Sequence, residues 1–361
     1  MSDRRWWPSF AVLLLAATAC APPRRLLLFA REIPPPAQLR VHVAEMERRA
    51  PFDGLVLDVP VAGRQRTLAW LVFGREAVAA RDLEAAAVDL QATRFRRFRH
   101  NFLRVNAVPE VDWFDSGWPT LERNLGTAAA FAKRAGLRGL VLDTEQYGDA
   151  RPFDYGRQRD TERRGWKEYA DEARRRGRQA MAAVNAAFPD ATLLVLFGHT
   201  LPYRRAGGDA AAASVTGEAL ARVEYGLLAP FLDGLLEAAS PETLYVDAYE
   251  SAYPFRERAQ FARARGLVRE SAARVSRVPE LYRRKVRAGF GLWVDFESDR
   301  RGWYARDPSR NYFTPEGFGQ ALRGALAETD GYVWVYSERP DWLTGRDLPE
   351  AYVSALEDAR D

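Results

Sequence analysis

The sequence has a single cysteine, Cys20, in 361 residues, so no disulfide within the chain can brace its fold. Lysine is almost missing: Lys133, Lys167 and Lys285 are the only three, and arginine carries the remaining basic charge. Histidine is as scarce, with three in the chain, and no His-x-His or His-Glu-x-x-His spacing offers a ready zinc site. No glycine-rich phosphate loop follows the first apolar run, which argues against an open dinucleotide-binding sheet. The formal net charge is only +4. Arginines alternate with acids, as in Asp160-Thr161-Glu162-Arg163-Arg164, the pattern of a solvated helical face rather than of a nucleic-acid surface. Neither a nucleic-acid partner nor a cofactor is expected. No low-complexity linker divides the chain.

What is present is apolar material for one large core, 47% of all residues. After a short tether the chain alternates apolar runs with helical patterns. The runs fall at 26–30, 55–59, 101–107, 139–144, 192–197, 243–249, 289–296 and 332–336. Each is nearly continuous in apolar residues, as parallel strands covered on both faces must be. Helices are expected between them, including 161–188 and 217–239, and a helical pattern at 255–287 broken near Pro279. The segment 67–73 reads as part of a long loop. Eight strand–helix units predict a single α/β domain over 26–361, a (β/α)8 TIM barrel with long loops at its C-terminal face.

The first twenty residues are a different object. Arg4 and Arg5 precede a short apolar run, 10–17, and small residues then lead to Cys20. This is the layout of an export signal too short to span a bilayer comfortably. The Ala16-Ala17-Thr18-Ala19-Cys20 end resembles the lipobox of bacterial lipoproteins, in which the cysteine is lipidated and becomes the new N-terminus. That resemblance implies a signal peptide at 1–20, a tether at 21–25 and a lipid anchor to the cell envelope. With Ala21 after the cysteine, it implies the periplasmic side of an outer membrane.

Barrels keep their chemistry at the C-terminal ends of the strands. Those ends carry Arg104 and Asn106, then Asp143, Glu145 and Tyr147, then His199, Asp247, Tyr249 and Glu250, then Asp295, Glu297 and Tyr336. Asp143 and Glu145 are two apart, so both side chains leave the strand on one face. Close carboxylates resist joint ionisation, so one of them becomes a proton donor near neutral pH. Asp295 and Glu297 repeat the spacing, and Asp247 is a further candidate. Structural carboxylates pairing with arginines, or a metal site shared with His199, are the alternatives. Aromatic side chains at these ends suit the C–H faces of sugar rings: Trp113, Tyr147, Tyr249, Trp303 and Tyr336. Arg104, Asn106, His199 and Glu250 suit hydroxyl groups. Trp293 and Trp334, inside strands, read as core.

The segment Gly139-Leu140-Val141-Leu142-Asp143-Thr144-Glu145 resembles the fourth strand of chitinase-like glycosidases, which ends Asp-x-Asp-x-Glu. Val141 stands where the first Asp of that pattern belongs. More broadly, Phe52-Asp53-Gly54-Leu55, Asp143-Thr144-Glu145-Gln146-Tyr147 and Val333-Trp334-Val335-Tyr336-Ser337-Glu338 look like a group of bacterial barrel proteins with a glycosidase-like layout. The resemblance implies a glycoside hydrolase acting on a poly- or oligosaccharide. By likeness to retaining barrel glycosidases, Glu145 would be the acid and Glu297 the nucleophile, with Asp295 its alternative; Asp247 is a third partner. A carbohydrate-binding barrel without chemistry and a metal-dependent hydrolase on the same fold are the rival expectations.

Overall fold

The computed structural model describes residues 24–209 and 215–360, so the leader with Cys20 lies outside the described residues. Apolar runs form strands β1 (Arg25–Ala30), β2 (Gly54–Leu57), β3 (Phe102–Asn106), β4 (Gly139–Asp143), β5 (Thr192–Val195) and β6 (Leu244–Asp247). Then come β7 (Val286–Ala288), β8 (Phe290–Trp293) and β9 (Tyr332–Ser337). All pairings are parallel, in the order β7-β6-β5-β4-β3-β2-β1-β9-β8. The two ends of that order, β7 and β8, are separated in sequence only by Gly289. One stretch of chain therefore pairs with β6 through its first half and with β9 through its second, and the sheet closes on itself. Nine segments occupy the eight strand positions of a (β/α)8 barrel.

Gly289 makes the switch possible. Its N–H donates to the Asp247 carbonyl at 2.8 Å. A Cβ there would stand 2.9 Å from both the Tyr332 carbonyl oxygen and Val246 Cγ1, tighter than a side chain allows.

Strand periodicity divides the core in two. Leu27, Phe29, Val56, Phe102, Val141, Leu194, Leu196, Val246, Ala248, Tyr332 and Trp334 form one buried cluster, the barrel interior. Their alternates, such as Leu28, Leu57, Leu103, Leu142 and Val195, join the larger layer between sheet and helices. The principal helix after each strand position is Pro36–Arg49, Glu84–Ala92, Trp118–Arg134, Trp166–Ala187, Leu228–Ala238, Arg258–Arg269, Pro315–Glu328 and Glu350–Asp358.

Three local expectations change. The segment 67–73 contains a helical turn, Leu68–Leu71, held by Asp58, which accepts from Thr67 Oγ1 at 2.6 Å and from Ala69 N at 3.3 Å. The helix expected over 217–239 is two, Gly217–Ala221 and Leu228–Ala238. The chain breaks where Tyr225 takes φ +62° and its N–H donates to Asp154 at 2.8 Å, while Leu227 N donates to the Phe153 carbonyl at 2.9 Å. The pattern at 255–287 resolves into Arg258–Arg269, a 3-10 turn at Ser271–Val275, and Pro279–Lys285 with its proline at the first helical turn. No helix among the described residues is long and apolar enough to cross a membrane.

Candidate active site

Interior apolar residues fill the barrel up to Val141 on β4, and polar residues replace them beyond it. Asp143 and Glu145 continue the inward face that Val141 defines. Arg104 continues the face of Phe102 on β3, one strand away. The barrel interior excludes water, so Asp143, 1% exposed, requires partners. It has three: Arg104 Nη2 at 2.7 Å, the Tyr147 hydroxyl at 2.9 Å, and the backbone N–H of Glu145 at 3.2 Å. The Arg104 guanidinium lies against the Phe29 ring, 5.2 Å from its centroid, and against Trp70 at 5.7 Å. Trp70 meets Tyr147 edge-on at 5.2 Å.

These groups wall a cavity of about 330 Å³ at the C-terminal mouth of the barrel. Its other walls are Phe29 and Arg31 from β1 and its end, Leu196 after β5, Glu250 and Tyr253 after β6, Trp293 from β8, and Tyr336 and Glu338 at β9. Burial pushes the Glu145 carboxyl up, and the Asp143 charge adds to this, against hydrogen bonding from Tyr147 and attraction to Arg104. Glu250 is driven well above the usual carboxylate range by burial and then by the charges of Asp143 and Glu145. Tyr253 hydrogen-bonds to it and opposes the shift. Two protonatable carboxyls thus share one small cavity with a carboxylate held by arginine.

Glu250 enters the cavity through backbone conformation. Strand alternation places Asp247 on the outer face, opposite to Val246 and Ala248. Tyr249 then adopts φ +24°, and the Glu250 N–H donates to the Leu196 carbonyl at 3.3 Å, which turns the next side chain inward.

The other expected site residues are placed as follows. Asp247 does not line the cavity: it is buried against Gly198, and accepts from Tyr249 N at 3.2 Å and Thr200 Oγ1 at 3.3 Å. Asp295 is consumed by four donors: Trp293 Nε1 at 2.9 Å, Ser298 Oγ at 3.2 Å, Glu338 N at 3.1 Å and Arg339 N at 2.9 Å. Glu297, at φ +59°, starts the short helix Ser298–Arg301 and pairs with Arg301 Nε at 2.7 Å, away from the cavity walls. The structure therefore does not bring Asp247, Asp295 or Glu297 together with Glu145; the glutamates it brings to that cavity are Glu250 and, at the rim paired with Arg31, Glu338.

Tyr147 and Tyr336 line the cavity; the other expected aromatics do not. Trp113 is fully buried, stacked on Trp118 at 5.3 Å, with its Nε1 donating to Pro152 O. Trp303 donates to the Asp347 carbonyl and packs against Tyr352. Tyr249 accepts from Arg204 in a separate cleft. His199 is buried with Nε2 2.9 Å from Asp233 Oδ1. Asn106 is buried at the end of β3, paired in register with Asp143, and its side-chain amide has no hydrogen-bond partner among the described residues. Among the described residues no group of three or more His, Cys, Asp or Glu is arranged to hold a metal ion.

The sequence pattern does not single out Phe29, Trp70 or Glu338 as site residues, whereas Tyr253 and Trp293 stand among the aromatics that crowd the strand ends. Phe29 was within reach, because it continues the inward alternation of Leu27. Trp293 was assigned to the core, yet its ring is half-buried and lines the cavity.

No family model matches the chain, and no curated protein is similar to it in sequence. Solved structures similar to it include a GH18 chitinase from Pseudoalteromonas aurantia, with 9% identity and TM-score 0.44 over 93% of this chain and 99% of that one. Others are a beta-mannanase from the blue mussel Mytilus edulis (12%, 0.41, 90% and 84%) and a glycoside hydrolase family 5 enzyme from Prevotella bryantii B14 (10%, 0.42, 89% and 98%). The architecture rests on the strand pairing described above, and the chemistry on the cavity's own side chains.

Proposed function

We propose that this barrel is a glycoside hydrolase in which Glu145 is the general acid and Glu250 the second carboxyl group. The observation that carries the reading is the pairing of environments: Glu145 and Glu250 are both shifted upward in one cavity, beside Asp143 fixed by Arg104 and Tyr147. Such a pair holds one proton between them over a range of pH; Glu250 is shifted further and keeps it in the prevailing form, so the reactive form, with the proton on Glu145, is the minor one. Glu145 gives that proton to the glycosidic oxygen as the C–O bond breaks. The Glu250 carboxylate either attacks the anomeric carbon or takes a proton from the water that does, giving retention or inversion respectively. Asp143 sets the charge around Glu145 and holds Arg104 in place. Phe29, Trp293 and Tyr336 offer ring faces to the sugar.

The experiment is a released-sugar screen over glycans with the parent protein and with Glu145→Gln. The expected result is release by the parent and a loss of about 10²–10⁴-fold in the variant, the usual worth of a general acid. Equal turnover by both, or glycan binding with no release by either, overturns the reading. The leader supports a location at the cell envelope through a lipid on Cys20. Metabolic labelling with palmitate, expected in the parent and lost in Cys20→Ser, tests that part independently.

A further inference from the structure

Resting on the glycosidase reading, we infer that the cavity takes the end of a glycan chain and that the protein removes a terminal unit rather than cutting internally. An internal cut needs a groove open on two sides, so that the chain can run past the acid. Here the side chains form a collar. Tyr147 of the loop after β4 meets Trp70 of the β2 loop at 5.2 Å. The Arg104 guanidinium spans the step from Trp70 to Phe29 on β1, within 5.7 and 5.2 Å of the two ring centroids. Phe29 meets Tyr336 of β9 edge-on at 5.7 Å. Tyr336 stacks on Tyr253 at 6.0 Å, and Trp293 of β8 packs against both at 5.5 Å. The Tyr253 N–H donates to the Glu250 carbonyl at 3.0 Å, and both side chains line the cavity.

The remaining arc, over β5, is lined by Leu196, with Phe197 and Tyr225 packed behind it. The Phe197 and Tyr225 rings are 6.0 Å apart, and the Tyr225 hydroxyl accepts from Gln146 N at 2.9 Å, directly beside Glu145. Above the collar, Arg31 and Glu338 approach to 3.8 Å across the rim between β1 and β9. The floor is Trp334, buried and locked by its Nε1 hydrogen bond to the Ala248 carbonyl at 2.8 Å.

Every strand position except β2 therefore contributes a residue to the wall, and Trp70 of the β2 loop backs Arg104 and Tyr147 from behind it. A cavity of about 330 Å³ is at the lower end of the roughly 300–1,000 Å³ of ligand sites, room for about one or two sugar rings. The acid sits in the wall, so the scissile oxygen must enter from the mouth with only the terminal unit below it.

The test follows product length over time on the polysaccharides that the protein degrades in the screen. Size-exclusion chromatography reads the remaining polymer, and labelled-sugar chromatography reads the products. The expected result is one small sugar from the earliest times while the mean length of the polymer stays nearly flat. A rapid fall in polymer length with a ladder of intermediate oligosaccharides overturns the inference and leaves the glycosidase reading standing. No release from any glycan, with parent and Glu145→Gln indistinguishable, overturns both.

Discussion

The Arg104 guanidinium is 2.7 Å from the Asp143 carboxylate inside the barrel, with Asp143 only 1% exposed. The pair lies on adjacent strands, two residues out of register and on the same inward face, so the closed sheet itself fixes the contact. Removing one partner leaves the other charge without compensation in a largely buried site. Arg104→Met is expected to lose about 3–5 kcal/mol of stability, the usual cost of breaking a buried pair. The double variant with Asp143→Asn should recover a large part of that loss. Urea denaturation of the single and double variants measures the coupling, and additive losses would contradict it.

In the proposed reaction the same pair sets the pH range. Asp143 raises the pKa of Glu145, and Arg104 lowers it. Asp143→Asn deletes the negative neighbour and leaves the cation unneutralised, so both changes move Glu145 downward. A general acid is lost as pH rises through its pKa. The alkaline limb of kcat/KM against pH should therefore move to lower pH in Asp143→Asn. A shift to higher pH would mean that Glu145 is not the proton donor.

The barrel and the first carboxyl pair were legible in the sequence because both depend on period-two alternation and on continuous apolar runs. Asp143 and Glu145 lie two apart on a strand that continues straight, so a count along the chain placed them together. Asp247 was one position off that alternation and faces the helices, which the apolar Val246 and Ala248 on either side already implied. Glu250 shares the parity of Val246 and Ala248, but β6 ends at Asp247 and the alternation has no strand to carry it further; Glu297 likewise lies past the end of β8. Each follows or sits at a residue with positive φ, Tyr249 at +24° and Glu297 itself at +59°, and a single such residue redirects the chain. One turn aims Glu250 into the cavity, and the other gives Glu297 to Arg301. Trp70 was illegible for another reason: its helical turn exists because Asp58 binds Thr67 and Ala69, a contact between segments.

Glu297→Gln should accordingly leave turnover within about twofold of the parent, since surface pairs such as Glu297 with Arg301 contribute about 0–1 kcal/mol. Glu250→Gln should abolish turnover. The contrast between the two, measured on the same glycan, decides which carboxyl completes the site. Loss of turnover in Glu297→Gln with retention in Glu250→Gln would reverse the assignment.

Glu250 should also destabilise the fold in which it works. Its folded-state pKa is raised above the unfolded value, so its contribution to stability is full below the unfolded pKa and is lost as pH rises through the folded one. A neutral side chain of the same shape avoids that loss. Glu250→Gln should therefore be more stable than the parent at neutral pH, and the difference should shrink as pH falls toward the ordinary Glu range. Urea midpoints at pH 4 and pH 7 read the effect directly. A variant less stable at pH 7 than at pH 4, relative to the parent, would show that Glu250 is ionised and well compensated.

Asp247 supplies the control, because it is more deeply buried, 1% exposed, yet outside the cavity. Burial lifts its pKa from 3.8 to about 6, against hydrogen bonds from Tyr249 and Thr200 and attraction to His199. Its share of stability is present below pH 3.8 and is lost as pH rises through about 6, a difference of order 3 kcal/mol at about 1.4 kcal/mol per unit. Asp247→Asn cannot titrate, so the slope of stability against pH between 4 and 6 should flatten, whatever offset the new amide introduces. Turnover per folded molecule should persist, unlike in Glu250→Gln. A second substitution separates packing from charge: at Gly198 a Cβ would fall 2.0 Å from Asp247 Oδ2. Gly198→Ala should cost about 1–3 kcal/mol at every pH, as overpacking does. A Gly198→Ala variant as stable as the parent would mean that Asp247 is free to move from the outer face, and with it the basis for excluding Asp247 from the chemistry.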